Sequence, residues 1–280
     1  MCKEDSSQWW QDEALCRLYS DYVGIQDRKQ LSRHWEMIRA RLSEDGKAYK
    51  CIEQFKFLSS RLATRFYYPR ILELGKQEPT RIFIDIGCCT GTDLRQLLMD
   101  GYPGTCLLGT DLSKHYIECG YDLFQDRDTC PIRFITGDIF DSKFLDQDSP
   151  GQPSLAPFHN QVGIVYSGSV IHLLQSIDQV DAFITQVTRL LTPGGLFVGT
   201  HVAADRTISV YIPPRHYTKH WVGVDDFKTA LQRHHFNDIE FKLEPRLTRE
   251  EEKPYLDVQC HWLSFSAVYS PPPDHHQPVE

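Results

Sequence analysis

The spacing of apolar residues along the 280-residue chain changes character near residue 80. Before that point it follows helices. Trp10, Leu15, Leu18 and Tyr22 recur at helical intervals behind Ser7 and predict a first helix. Asp27 precedes a second helical run through Ile38 and Leu42 that should end near Gly46, because an acid accepts from the first free amides and glycine permits the left-handed exit. A third helix is expected from about Tyr49 through Phe57 and Leu62. A fourth, PRILELGK, opens on Pro69, whose missing amide costs nothing in a first turn.

From Arg81 short apolar runs alternate with amphipathic ones. RIFIDIG, TCLLGTDL, IRFITGDIF, QVGIVYSGSVIHLL and GLFVGTHV read as strands. Between them lie a helix reaching about Met99, a second in SKHYIECGYDLFQ and a third in SIDQVDAFITQVTRLL, which Thr192-Pro193-Gly194-Gly195 should stop. A loop rich in proline, serine and glycine fills Asp146 to Gln161. Such alternation predicts a mainly parallel sheet with helices on both faces. After a helix near Asp225 to His234, NDIEFKLE and VQCHWLSFSAVYS read as an antiparallel hairpin at the sheet edge. The organisation expected is a helical cap over 1–78, an α/β domain over 79–270 and a disordered tail over 271–280.

Charge and cysteine content narrow the function classes. The 30 basic and 38 acidic residues leave a formal charge of −8, which argues against a nucleic-acid-binding face. No apolar run is long enough to span a membrane, and MCKEDSSQWWQDE lacks the apolar core of a signal peptide, so a cytoplasmic location is expected. In that setting the nine cysteines read as reduced thiols. Cys88 and Cys89 have no companion C-x-x-C pair, so they read as small residues of a tight turn; no metal is expected, and nothing marks either thiolate as a stabilised nucleophile.

Ligands of open α/β sheets bind beyond the carboxyl ends of the strands. Three acids stand at three successive ends: Asp85, Asp111 and Asp138. Together they suit a cationic, hydroxyl-rich ligand containing adenine. Gly87 and Gly91 would let the backbone approach it. Asp85 would orient the loop or meet an ammonium group, Asp111 would accept from two ribose hydroxyls, and Asp138 would accept from an adenine amine while Ile139 and Phe140 pack on the ring. Each acid also has a local reading: Asp85 and Asp111 as helix caps, Asp138 as a turn residue.

The run Asp85-Ile86-Gly87-Cys88-Cys89-Thr90-Gly91, with Asp111 and Asp138 downstream, resembles the first motifs of the class I S-adenosylmethionine-dependent methyltransferases. Cys89 stands where that pattern has its middle glycine. The resemblance implies a Rossmann-like fold with a seven-stranded sheet in the order 3-2-1-4-5-7-6, strand seven antiparallel, and S-adenosylmethionine as cofactor. It also adds Leu112 and Ser167 to the cofactor-binding set. YKCI, RFYYPRILEL, DIGCCTGTDLRQLLMDGYP and GDIF further resemble small methyltransferases of fungal secondary-metabolite clusters, some of which methyl-esterify a carboxyl group of meroterpenoid intermediates. That subgroup implies a small-molecule acid as acceptor and a homodimer. Phenol methylation and a catalytically silent cofactor-binding protein are the alternatives. A nicotinamide enzyme is disfavoured because G-x-G-x-x-G is absent and an acid before the loop would repel a pyrophosphate.

For the acceptor, His172 just past strand four is the candidate catalytic and substrate-binding residue, as an orienting donor or a general base, with plain packing as the competing reading. His201 and Arg215 are further substrate-binding candidates. Trp9, Trp10, Tyr19 and Tyr22 form either an aromatic lid or a helix-packing core.

Overall fold

A computed structural model describes residues 12–44, 46, 49–146, 153–213, 216–248, 250 and 252–272. Ser7, Trp9, Trp10 and Arg215, and all but two residues of the expected tail, lie outside them. Among the described residues nine strands are formed: β1 (Ile82–Ile86), β2 (Leu107–Asp111), β3 (Arg133–Thr136), β4 (Val162–Gly168), β5 (Leu191–Ala204), β6 (Ile208–Ile212), β7 (Tyr217–Trp221), β8 (Phe236–Pro245) and β9 (Cys260–Tyr269). Seven make one sheet in the order β3-β2-β1-β4-β5-β9-β8, with β6 and β7 a separate pair. β9 runs antiparallel to β5 and β8, whereas the β1–β4, β4–β5 and β2–β3 pairs are parallel. With β6 and β7 set aside, this is the expected order 3-2-1-4-5-7-6. The chain groups into two compact units, residues 1–80 with 87–137 and residues 81–86 with 138–280. Among the described residues no helix is long and apolar enough to cross a membrane.

In the first unit, α1 (Glu13–Arg17) is capped by Asp12, whose carboxylate accepts from the Leu15 amide at 3.0 Å, and it continues into a wider turn over Leu18–Tyr22. α2 (Arg28–Leu42) starts at Asp27 as expected, with the Gln30 amide 2.7 Å from the cap. The expected third helix is cut to α3 (Lys50–Glu53). Phe55 takes a left-handed conformation (φ 55°), which a right-handed helix cannot absorb, and a short 3-10 turn over Leu62–Thr64 follows. α4 (Tyr68–Gln77), α5 (Thr92–Met99) and α6 (Lys114–Phe124, capped by Ser113) match the sequence pattern.

These elements share one core. Leu18, Tyr19, Trp35, Ile38 and Leu42 pack with Tyr116, Leu123 and Phe124 of α6. The boundary expected at residue 78 therefore does not separate a cap from a domain. Tyr19 is a core residue, edge-on to Trp35 at 5.1 Å and stacked on Phe124 at 5.9 Å.

The second unit contains α7 (Ser142–Asp146), α8 (Ile177–Leu190) and α9 (Val224–Arg233). Ser176 caps α8, its hydroxyl accepting from the Gln179 amide. The Thr-Pro-Gly-Gly stretch does not extend the helix but lies inside β5, where Gly194 takes φ 79°. The β6–β7 hairpin is an addition the sequence reading placed in a connection. Ile212 and Trp221 bury against Val202, Ala204 and Cys260, so the hairpin has its own small apolar core.

Candidate functional site

In the first unit the glycine loop leaves β1 through three left-handed residues, Gly87 (φ 82°), Cys89 (φ 51°) and Gly91 (φ 68°). Two of them are glycine, which tolerates this region; Cys89 does so at a cost of roughly 1–2 kcal/mol. The loop is tied down by hydrogen bonds. The Gly87 and Cys88 amides both donate to the Thr110 carbonyl, at 2.8 and 3.0 Å, and the Gly91 amide donates to the Cys88 carbonyl at 2.7 Å. Asp111 at the end of β2 accepts from the Cys89 amide through Oδ2 (2.8 Å) and from the Ser113 amide through Oδ1 (2.9 Å). An ionised carboxylate has about four acceptor positions, so these bonds take half of them. Leu112, beside it, is 61% exposed. Burial, then the nearby Asp111 carboxylate, push the Cys89 thiol well above its ordinary range, which keeps it protonated and unreactive.

Gly91 has a different reason from the one expected. A Cβ there would sit 2.7 Å from the Phe134 ring and 2.8 Å from an Arg95 nitrogen. The space is filled by the protein's own side chains, so the glycine is demanded by packing in this unit as well as by its φ.

Arg95, one turn into α5, is a residue the sequence reading missed. It is buried with Asp126 and pairs with it through two bonds, Nε to Oδ2 at 2.7 Å and a terminal nitrogen to Oδ1 at 2.8 Å. The other terminal nitrogen donates to the Thr90 carbonyl at 2.8 Å, and the guanidinium lies 4.4 Å from the Phe124 ring centre. Burial alone would raise the Asp126 carboxyl; Arg95 and the Tyr22 hydroxyl outweigh it and hold it below the usual carboxylate range. The available signal was position: an arginine on the apolar stripe of α5, beside Leu94, requires a buried partner.

In the second unit Asp85 ends β1 as a carboxylate only 2% exposed. Asp138 follows β3, is exposed, and accepts from the Phe140 amide through Oδ1 at 2.9 Å, so the local turn role is realised. Ile139 is buried, while Phe140 keeps 41% of its surface exposed. Ser167 is 0% exposed, and its hydroxyl has no hydrogen-bond partner among the described residues. Its side chain is thus fully buried at the end of β4, with its hydroxyl unsatisfied by the described protein groups.

The two histidines part company. His201 on β5 is 0% exposed, edge-on to Phe227 at 4.6 Å and to Phe265 at 6.1 Å, and burial lowers its pKa to about 4. It is a buried, neutral histidine packed among aromatic rings. His172 lies in a 3-10 turn (Ile171–Leu173) after β4 and is half-buried. Its Nδ1 accepts from the Val202 amide at 3.4 Å, and its ring stands edge-on to Trp262 at 6.1 Å. That bond occupies the Nδ1 lone pair and puts the proton of the neutral ring on Nε2.

Comparison with known proteins agrees with this architecture. Residues 84–197 match the family described as methyltransferase domain. The chain is 35% identical over 153 residues to the O-methyltransferase phiE of a fungal species, covering 54% of this chain and 48% of that protein. It is 34% identical over 157 residues to the asnovolin E/chermesin D methyltransferase nvfJ of Aspergillus novofumigatus, covering 55% and 52%. The chain thus spans about half the length of the curated relatives it matches. Among solved structures, phosphoethanolamine N-methyltransferase 2 of Haemonchus contortus superposes with a TM-score of 0.55 at 15% identity, over 84% of this chain and 61% of that one, and shares the fold.

Proposed function

We propose that this chain is an S-adenosylmethionine-dependent O-methyltransferase whose acceptor is the carboxylate of an aromatic polyketide–terpenoid acid of fungal secondary metabolism, a reading supported by the match of residues 84–197 to a methyltransferase domain. The residues fit the cofactor. In the first unit Asp111 offers a carboxylate at the end of β2 next to the exposed apolar Leu112, which suits a ribose diol; in the second unit Asp138 offers a carboxylate near the exposed ring of Phe140, which suits a planar base. When bound, S-adenosylmethionine supplies an electrophilic methyl group, so the protein's share of the work is alignment.

The hydrogen bond from the Val202 amide to His172 Nδ1 carries the choice of acceptor. A general base needs an open lone pair, and this histidine has its lone pair engaged. With Nδ1 accepting, the neutral ring carries its proton on Nε2, a donor of the kind that orients a carboxylate. Such an acceptor is ionised well below pH 7, and no proton has to leave the reacting oxygen. A phenol, with a pKa near ~10, would need a base. The name of the relative phiE, an O-methyltransferase, supports transfer to an oxygen, and the terpenoid class rests on the sequence resemblance. A homodimer in a cytoplasmic setting completes the reading.

The test is the pH profile of turnover with saturating S-adenosylmethionine and an aromatic acid. A rate nearly flat between about pH 7 and 9 agrees with a pre-ionised acceptor. His172→Ala then costs alignment only, well short of the ~10²–10⁴ typical of a lost general base. A rise through a histidine pKa near ~6.5 that disappears in His172→Ala would favour the phenol reading.

A further inference from the structure

The first unit contains a polar relay of side chains outside the expected cofactor-binding set that ends on the glycine loop. It begins in the N-terminal segment, where the Tyr22 hydroxyl donates to Asp126 Oδ2 at 2.8 Å. It continues through the Asp126–Arg95 fork, whose four atoms lie in a buried setting. It ends on the glycine loop, where one Arg95 terminal nitrogen donates to the Thr90 carbonyl at 2.8 Å and reaches the Gly91 carbonyl at 3.4 Å. The same loop is held from the N-terminal third at a second place: the Thr90 and Thr92 hydroxyls are 3.0 Å apart, and Thr92 donates to the Phe57 carbonyl at 2.6 Å.

We infer that Arg95 is a positioning residue for cofactor binding, and that it makes the shape of the Thr90–Gly91 turn depend on docking of the N-terminal segment through Tyr22 and Asp126. The chemistry requires an arginine. One planar guanidinium serves a carboxylate on one side and two backbone carbonyls on the other; a lysine, with a single compact charge, keeps the attraction to Asp126 but cannot span both. The relay is specific to the loop, because the comparable Arg41–Asp122 pair of the same unit joins α2 to α6 without touching it. Its consequence is a link between two ends of the sequence: residues near 22 that meet no ligand would set the geometry of residues that do. Left-handed Cys89 and Gly91 flank the clamped carbonyl of Thr90, so releasing it frees the two positions where the loop is least held by intrinsic preference.

The inference rests on the cofactor reading above, and the test separates the two. Arg95→Lys, Tyr22→Phe and, as control, Arg41→Lys are compared by calorimetry with S-adenosylhomocysteine and by amide hydrogen exchange of the unliganded proteins. In Arg95→Lys, exchange at the Gly91 amide rises and the dissociation constant increases by about tenfold, the size of one lost charge-assisted bond. Tyr22→Phe keeps the ring beside Phe124 and shifts both readings the same way, by a smaller factor of about threefold. Arg41→Lys moves neither. Loop exchange in Arg95→Lys equal to wild type would overturn the inference, as would equal loosening in the Arg41→Lys control. If wild-type protein fails to bind S-adenosylhomocysteine, the cofactor reading falls, and the exchange data still decide the clamp.

Discussion

Asp111 Oδ2 accepts the Cys89 amide at 2.8 Å, so the acid expected to hold a ribose also anchors the loop that would meet the rest of the cofactor. The two roles make one prediction. Asp111→Ala should weaken S-adenosylhomocysteine binding by at least about tenfold, because a hydrogen bond to a charged group is worth ~1.5–3 kcal/mol and each ~1.4 kcal/mol is a decade. Calorimetry on the folded variant checks this. Unchanged affinity would remove Asp111 from the site.

Cys89 occupies a left-handed position that the resembling family fills with glycine. Cys89→Gly should bind S-adenosylhomocysteine within about twofold of wild type, and its thermal midpoint should be no lower, since relief of roughly 1–2 kcal/mol of backbone strain offsets the lost thiol packing. A folded variant that binds but does not turn over would give the thiol a role in the reaction.

Gly91 is a folding position before it is a binding one. Gly91→Ala places a methyl 2.7 Å from the Phe134 ring at φ 68°. The expected loss is about 2–5 kcal/mol, the sum of left-handed strain and overpacking. Denaturant unfolding measures it, and Phe134→Leu in the same chain should recover part by making room. A Gly91→Ala protein of wild-type stability would contradict the packing account.

His201 makes the second unit sensitive to acid. Its pKa is about 4 when folded and near ~6.5 when unfolded, so between those values the unfolded chain binds the extra proton. Stability should therefore fall as pH drops from about 6.5 toward 4, by up to about 3 kcal/mol, and this contribution levels off below. Asp126 adds a loss at lower pH. Its folded pKa is depressed, so its contribution holds above the unfolded carboxylate range, near ~3.9, and is lost as pH falls through the folded value. Urea titrations at several pH values should show the upper slope in wild type and not in His201→Leu.

Elements with strong local signals were legible in the sequence. Asp27, Ser113 and Ser176 cap the helices they precede; the alternation from Arg81 onward predicts the mainly parallel sheet, and the family resemblance supplies its strand order. What escaped depends on contacts distant in sequence. The third helix ended early because Phe55 turns left-handed in its tertiary setting, which no propensity records. Ile208, Val210 and Ile212 alternate as a strand should, yet the segment is not among the strands expected from the sequence. Helical spacing alone left Tyr19 open between an aromatic lid and a packing core; the contact with Phe124, far along the sequence, puts it in the core. Among the site residues, Asp111, Asp138 and His172 lie at or just past strand ends, whereas Ser167 and His201 are fully buried, because the central strands β4 and β5 are covered on both faces and pattern alone does not mark which of their side chains are enclosed.

Methyl transfer to a carboxylate is the central claim. Protein, S-adenosylmethionine with a deuterated methyl group and an aromatic polyketide–terpenoid acid are incubated, and the product is followed by mass spectrometry before and after mild alkaline hydrolysis. The account predicts one labelled methyl group per acceptor, lost on hydrolysis as an ester requires. A labelled product stable to alkali would contradict the carboxylate assignment, and no transfer to any acid by protein that binds S-adenosylhomocysteine would contradict the enzyme reading itself.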